Sequence, residues 1–177
     1  SGPVSFSYTA SDGSLSSIST ASLVISPVND APTATNLSTA ETYTQDTPLN
    51  LVDIVVSDVD SATVTATLTL SNPAAGSLNT ATSGAVTSTY NAATGVWTAS
   101  GAIANVNALL AGLTLTPAAT FNGSFSIVTS VSDGVAPAIT GSKAFTGIAV
   151  NAAPTATNLS TAETYTEDSP LNLADIV

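Results

Sequence analysis

The 177-residue chain lacks cysteine, histidine and methionine, and its only basic side chain is Lys143. Without cysteine no disulfide framework can form, and without histidine or cysteine the chain offers none of the ligands that zinc and copper prefer. Twelve acidic residues against one basic residue give a net charge of -11. Because nucleic-acid binding depends on lysine and arginine contacts to phosphates, this balance excludes a nucleic-acid partner.

The same absences argue against catalysis. Serine is abundant, but no histidine is present to act as its base, and a serine–lysine dyad would have to use Lys143, which lies in no recognisable motif. Two carboxylates could hydrolyse a glycoside, yet aromatic residues make up only 5% of the chain and leave few platforms for a sugar. Trp97 and Tyr90 are more simply explained as core residues or cross-strand partners. We expect no enzymatic activity and no small-molecule substrate.

Long apolar runs are also missing. No stretch approaches the roughly 20 apolar residues that a membrane-spanning helix needs, and no charged-then-apolar N-terminus resembles a signal peptide. We therefore expect a soluble piece of a larger protein, with no direct membrane insertion.

A long repeat is the strongest positive feature. Residues 28–55 return near the C-terminus as residues 150–177, and aligning Pro32 with Pro154 leaves only three later differences, Gln45/Glu167, Thr47/Ser169 and Val52/Ala174. A period of about 122 residues indicates a tandem array of whole domains, because solenoid units are only about 20–50 residues long. The predicted units are the last strands of a preceding repeat (1–30), a complete repeat (31–152) and the opening strands of a following one (153–177).

The hydrophobic pattern predicts strands. Residues 63–70, TVTATLTL, alternate without a fault, and residues 3–10, PVSFSYTA, alternate in the same way as a half-buried strand. Residues 85–90 and 95–100 are predicted to form a hairpin, and residues 103–112 one or two helical turns. Seven or more short strands separated by turn signals predict an all-β, Greek-key β-sandwich of immunoglobulin or cadherin type.

Acidic and amide side chains gather at the junctions and turns. Asp58 and Asp60 lie two residues apart in an extended segment, so they face the same side about 7 Å apart and can converge on a cation. Oxygen ligands without histidine or cysteine favour calcium. The alternative for each acidic residue taken singly is a solvated position in a turn.

Several phrases together resemble the cadherin-like repeats of large bacterial surface proteins, and the texture is similar to the extender repeats of repeats-in-toxin (RTX) adhesins: VNDAPT, SDVD, TGVWTASG, VNALLAGLTLTP, FNGSFSI and VSDG. The resemblance covers essentially the whole chain. It implies an array on the outer cell surface with calcium near the interdomain linkers, and by position it implies the ligands Asp12, Asn29, Asp30, Asp46, Asp58 and Asp60. The second junction departs from the pattern, because Ala152 stands where the first has Asp30.

This resemblance implies a structural extender of a bacterial surface adhesin, stiffened by calcium, that projects a distal ligand-binding region for adhesion and biofilm formation. Its partners would be neighbouring repeats, and the incomplete ends of separate molecules are expected to pair head to tail. Two other functions stay open. The same sandwich could bind a glycan or a protein, or it could be a spacer in a secreted polysaccharide-degrading enzyme.

Overall fold

The structure is a computed structural model and describes residues 2–160 and 162–173. Within these residues the regular elements are β1 (Gly2–Ser11), β2 (Ser16–Ile25), β3 (Thr33–Ala34), β4 (Glu41–Thr44), β5 (Leu49–Asn50), β6 (Val56–Ser57), β7 (Thr63–Leu70), a 3-10 turn (Pro73–Ala75), β8 (Gly76–Leu78), β9 (Thr82–Ser83), β10 (Val86–Thr87), β11 (Thr89–Asn91), β12 (Val96–Ala102), α1 (Ile103–Ala111), β13 (Thr114–Pro117), β14 (Phe125–Ser132) and β15 (Ile139–Ile148).

Strands β3 to β15 form a Greek-key β-sandwich, which confirms the predicted fold class. Its largest sheet has the order β11-β12-β7-β14-β15-β4, and every neighbouring pair in it is antiparallel except β15 and β4, which are parallel. A smaller sheet has the order β5-β13-β8. Buried side chains of both sheets belong to one core, through which the two sheets stabilise each other.

The predicted strand at residues 63–70 is confirmed as β7, at the centre of the large sheet between β12 and β14. Its alternating residues Val64, Ala66, Leu68 and Leu70 are all buried, because successive side chains of a strand point to opposite faces.

The predicted hairpin is confirmed in β11 and β12, in which Tyr90 lies opposite Trp97, but its first arm is shorter than predicted because Val86 and Thr87 pair with β9 instead. Trp97 is fully buried, and its indole N–H donates to the carbonyl oxygen of Asn79 at 3.0 Å. The hydroxyl of Tyr90 donates to the carbonyl oxygen of Gly76 at 3.1 Å. Both aromatic residues are therefore packing and cross-strand partners, each with its polar atom satisfied.

Helix α1 is longer than predicted. It spans nine residues, about two and a half turns, and buries Val106, Leu109 and Leu110. Asn107 holds it to the sandwich, because its side chain bonds both the N–H and the C=O of Val56 at 2.8 Å. Tertiary packing thus extends a helix that its local sequence supports only weakly. No helix in the described part of the chain is long and apolar enough to cross a membrane.

The N-terminal hairpin β1–β2 repeats the register of β14–β15. Val4 lies opposite Leu23, and Phe125 lies opposite Phe145. These are matching positions when the Asp-Gly turns and the Val-Asn junctions of the two segments are aligned.

The environments of the two hairpins differ. Phe6 is 58% exposed, whereas Ile127, which occupies the matching position, is fully buried. Residues 3–10 therefore form the predicted strand, but the prediction that this strand is half-buried is wrong. The reason is that no second sheet among the described residues covers this hairpin.

The second copy of the opening segment, residues 153–173, forms no strand in its described part. In the first copy, β4 forms its strand hydrogen bonds with the edge of β15. Because β4 already occupies that edge, it is not open to the second copy. The local turn geometry nevertheless recurs. Asp46 and Asp168 both adopt left-handed backbone angles, with φ of 58° and 64°. Residues 174–177 of the predicted unit lie outside the described residues.

Candidate metal centre

One end of the sandwich, here called the entry end, gathers Asn29, Asp30, Asp58, Asp60 and Asp133. The Asn29 side-chain amide donates to Asp133 Oδ2 at 2.7 Å, and the backbone N–H of Asp30 donates to Asp60 Oδ2 at 3.0 Å. The two linker residues are thus bonded to two separate loops of the domain that follows them.

Within the described part of the chain, only one of the two carboxylate oxygens of Asp58 accepts hydrogen bonds. Its Oδ1 accepts the backbone N–H groups of Asp60, at 3.0 Å, and of Ser61, at 2.8 Å. Its Oδ2 is buried and accepts no hydrogen bond from the described residues. A buried acceptor without a donor is unfavourable, so this oxygen is the atom of the entry end that most needs a positive partner.

Two carboxylates of the entry end have lowered pKa values. The N–H groups of Ser61 and Asp60 lower the pKa of Asp58. The nearby negative charge of Asp133 has the opposite, smaller effect and raises this pKa. The Asn29 amide, followed by the Val135 N–H, lowers the pKa of Asp133. Both groups are therefore ionised at neutral pH, and they are close enough for each charge to affect the other.

Asp133 was not among the residues predicted from the sequence. It follows β14 in the Asp-Gly turn, and its side chain also accepts the N–H groups of Val135 and Ala136 at 3.0 Å each. The sequence did contain a signal for it, because Asp133 is the counterpart of Asp12, which was predicted, in the repeat alignment.

Asp12 itself lies at the tip of the β1–β2 hairpin. Its carboxylate accepts the N–H groups of Ser14 and Leu15 at 2.9 and 2.8 Å, and these bonds, Leu15 first, lower its pKa. The hydrogen bonds of Asp12 stay within the hairpin tip, so its carboxylate closes its own turn.

Asp46 lies at the opposite end of the sandwich, here called the exit end. Its Oδ1 accepts the N–H of Thr120 at 2.8 Å, and the neighbouring Gln45 contacts Asn122 and Val150. The parallel pairing of β4 with β15 carries this loop to the end of β15, whereas Asp133 precedes the start of that strand. Ten residues of strand place the two ends about 30 Å apart.

The predicted ligands thus separate into three places. The structure brings Asn29, Asp30, Asp58 and Asp60 together and leaves Asp12 and Asp46 elsewhere. The donor set of the entry end, with carboxylate and amide oxygens and the unpartnered Asp58 Oδ2, has the chemistry that a hard cation requires. Among residues 2–160 and 162–173, however, no three acidic, histidine or cysteine side chains already form a group that could hold a metal ion.

No protein-family model and no curated protein sequence matches the chain. Among solved structures it is similar to the titin domains z1z2 in complex with telethonin, at 13% identity and a TM-score of 0.42, covering 84% of this chain and 62% of that one. It is also similar to an endo-fucoidan hydrolase of glycoside hydrolase family 107, at 18% identity and a TM-score of 0.34, covering 85% of this chain and 19% of that one. The chain spans less than two thirds of either structure, and at these TM-scores neither match bears on its function.

Proposed function

We propose that this chain is a piece of a structural extender, a tandem array of β-sandwiches whose joints are stiffened by calcium at the entry end of each domain. The observation that carries the proposal is the pair of bonds from linker to domain, Asn29 to Asp133 and Asp30 to Asp60. A linker bonded to two loops of the next domain cannot swivel freely about its entry point.

The entry itself is restricted further by Pro32. This residue is buried, and its ring fixes the backbone φ angle immediately after the bonded linker residues. A short linker with fixed torsions and side-chain bonds is a spacer with little conformational freedom, unlike a Gly/Ser-rich chain. Such joints suit a protein whose task is to hold a distal part at a distance.

Asp58, Asp60, Asp133 and the Asn29 amide are the residues that would hold a cation. A calcium ion supplies positive charge to adjacent carboxylates and joins oxygen atoms from different segments. Without it, the gathered negative charges of the entry end repel one another and oppose the compact state. Asp58 Oδ2 is the oxygen that gains most, because it has no donor among the described residues.

Within this proposal the array lies on the outer surface of a bacterial cell and projects an adhesive region for attachment and biofilm formation. Its support is the near-identity of residues 154–177 with residues 32–55, which suits repetition of a scaffold. The glycan-binding alternative has less support, because the single tryptophan is buried in the core and presents no platform to a sugar.

Calorimetric melting with calcium and then with excess chelator tests the calcium centre. An ion that binds only the folded state contributes RT ln(1 + [L]/Kd), about 2.7 kcal/mol at a 100-fold excess over Kd. Asp58→Asn should shrink the calcium-dependent rise in Tm, whereas Asp53→Asn, the matched control, should leave it intact. A wild-type Tm that calcium does not change would remove calcium from the proposal.

Small-angle scattering on a chain of several repeats tests the extender role. Strands of about ten residues along the array axis give a length of about 40 Å per domain. The maximum dimension should then grow in proportion to repeat number when calcium is present and shrink with chelator. A compact array in both conditions would contradict the extender, even if calcium raised the Tm.

A further inference from the structure

The only lysine of the chain is fully buried in an ion pair. Lys143 Nζ lies 2.9 Å from Glu41 Oε1 and also donates to the carbonyl oxygens of Asn36, at 3.1 Å, and Val52, at 3.4 Å. Glu41 is buried as well, and its Oε2 accepts the N–H of Val52 at 3.1 Å. The ammonium group therefore donates to two carbonyl oxygens and is neutralised by the adjacent carboxylate.

This ion pair connects the opening segment of the domain to its last strand. β4 lies parallel to β15 with Glu41 opposite Phe145, and Lys143 precedes Phe145 by two residues on the same face of β15. Lys143 thus lies in the strand whose edge pairs with the opening segment. Losing one partner would leave the other charge buried and uncompensated.

The β1–β2 hairpin has the same pairing register, but Ala21 occupies the position of Lys143 and Leu23 that of Phe145. Within the described residues, β2 pairs only with β1, so the edge that receives β4 on β15 is open on β2. Both opening segments of this chain carry glutamate at the matching position, Glu41 in the first and Glu163 in the second.

We propose that the residue at this position, Lys143 in β15 and Ala21 in β2, selects the opening segment that pairs with the strand. Lysine accepts a segment with glutamate at the position of Glu41, and alanine accepts only a segment that is uncharged there. A glutamate laid beside Ala21 would lose water without gaining a counterion, and this mismatch rejects the wrong segment. The partner of the β2 edge is therefore an extended, parallel segment with a neutral residue in place of Glu41. The inference rests on the proposed function only in treating the hairpin as the last strands of a repeat.

The selection opposes the head-to-tail pairing that the sequence predicts for the incomplete ends. Residues 162–173 of one molecule have the same glutamate as β4 and would bring Glu163 against Ala21 of the next. Such selection keeps both glutamate-bearing segments of this chain, residues 31–55 and 162–173, off the β2 edge.

The first test uses the complete sandwich. Lys143→Ala should lower the Tm, and adding Glu41→Gln should restore most of the loss, because the amide is neutral and still accepts the Val52 N–H. The matched control adds Glu163→Gln to Lys143→Ala and should restore nothing. If Glu41→Gln fails to rescue, or if Glu163→Gln rescues equally, charge matching does not govern this edge and the proposal is wrong.

The second test uses the hairpin in the wild-type chain. Amide NMR shifts of Ala21, Leu23 and Ile25 would be followed while a peptide with the sequence of residues 154–173 is added, either unchanged or with Glu163→Gln. The neutral peptide should bind at least about tenfold more tightly, and Ala21→Lys should reverse the preference. Equal binding, an unreversed preference, or no binding of either peptide would overturn the proposal. Neither test involves calcium, so their failure is separate from a failure of the calcium centre.

Discussion

Asn29 donates a 2.7 Å hydrogen bond to Asp133, a residue 104 positions later in the chain. Asn29 belongs to the linker ahead of the sandwich, and Asp133 belongs to the turn between its last two long strands. The bond therefore ties the point where the chain enters the domain to the point where its final strand begins.

Removing this bond should change the titration of its acceptor. The Asn29 amide is the largest cause of the lowered pKa of Asp133, so Asn29→Ala should raise that pKa toward the ordinary value of 3.8. A carboxyl whose pKa is lowered by folding stabilises the fold above its unfolded value, and this stability is lost as the pH falls through the folded value. The variant should therefore lose less stability than the wild type as the pH falls below about 4.

Carbon-detected NMR titration of Asp133 in chelator measures this effect. Asn151→Ala removes the counterpart of Asn29 at the second junction and should leave the titration of Asp133 unchanged. An Asp133 pKa that does not move in Asn29→Ala would mean that the bond does not persist in solution.

The division into an entry end and an exit end predicts which carboxylates matter for calcium. Asp133→Asn should reduce the calcium-dependent rise in Tm, although the sequence did not single it out. Asp12→Asn and Asp46→Asn should leave that rise unchanged, because these residues lie at the hairpin tip and at the exit end. Calorimetry on the three variants, each with calcium and with chelator, compares them directly. A larger effect from Asp46→Asn than from Asp133→Asn would contradict the division.

Matching positions in the two long hairpins should respond differently to truncation. Ile127→Ala removes a fully buried side chain from the core and should cost about 2–5 kcal/mol of unfolding free energy. Phe6→Ala, the matched variant in the exposed hairpin, should change the unfolding of the sandwich by less than about 0.5 kcal/mol. Denaturant unfolding followed by the fluorescence of Trp97 reports on the sandwich alone. Equal costs would show that the hairpin is part of the same cooperative unit.

Gln45 is predicted to hold the exit end without a cation. Its Nε2 donates to Asp46 Oδ2 at 3.2 Å, and its Oε1 accepts from Asn122 at 3.0 Å. Gln45→Glu removes the donor and places a carboxylate beside Asp46, so in chelator it should cost about 0.5–1.5 kcal/mol, the net value of one hydrogen bond. Glu167→Gln, the reciprocal change in the second copy, should leave thermal unfolding of the sandwich unchanged. Equal stability of Gln45→Glu and wild type in chelator would contradict the role given to this amide.

Local patterns predicted most of the sandwich. The alternation of residues 63–70 and the pairing of Tyr90 with Trp97 depend on neighbouring residues, so they can be read without knowing the rest of the fold. The length of α1 could not be predicted in the same way. It depends on Asn107 bonding the backbone of Val56, a contact between residues 51 positions apart.

The candidate site was only partly predictable for a related reason. Four of the predicted ligands flank the same end of the sandwich: Asn29, Asp30, Asp58 and Asp60. The sequence of the junction was enough to predict that they group together. Asp46 is close to them in sequence, but the parallel pairing of β4 with β15 carries it to the other end. The burial of Lys143 was equally invisible, because its partner Glu41 lies 102 positions earlier in the chain.

The parallel pairing of β4 and β15 also determines how the domain would carry tension. The chain enters ahead of β4 and leaves after β15, and both strands run from the entry end toward the exit end. A pull on the two ends therefore slides the strands past each other in shear and loads their hydrogen bonds together, where an antiparallel pair would open one bond at a time. The Lys143–Glu41 ion pair spans the same two strands, so it resists the same displacement.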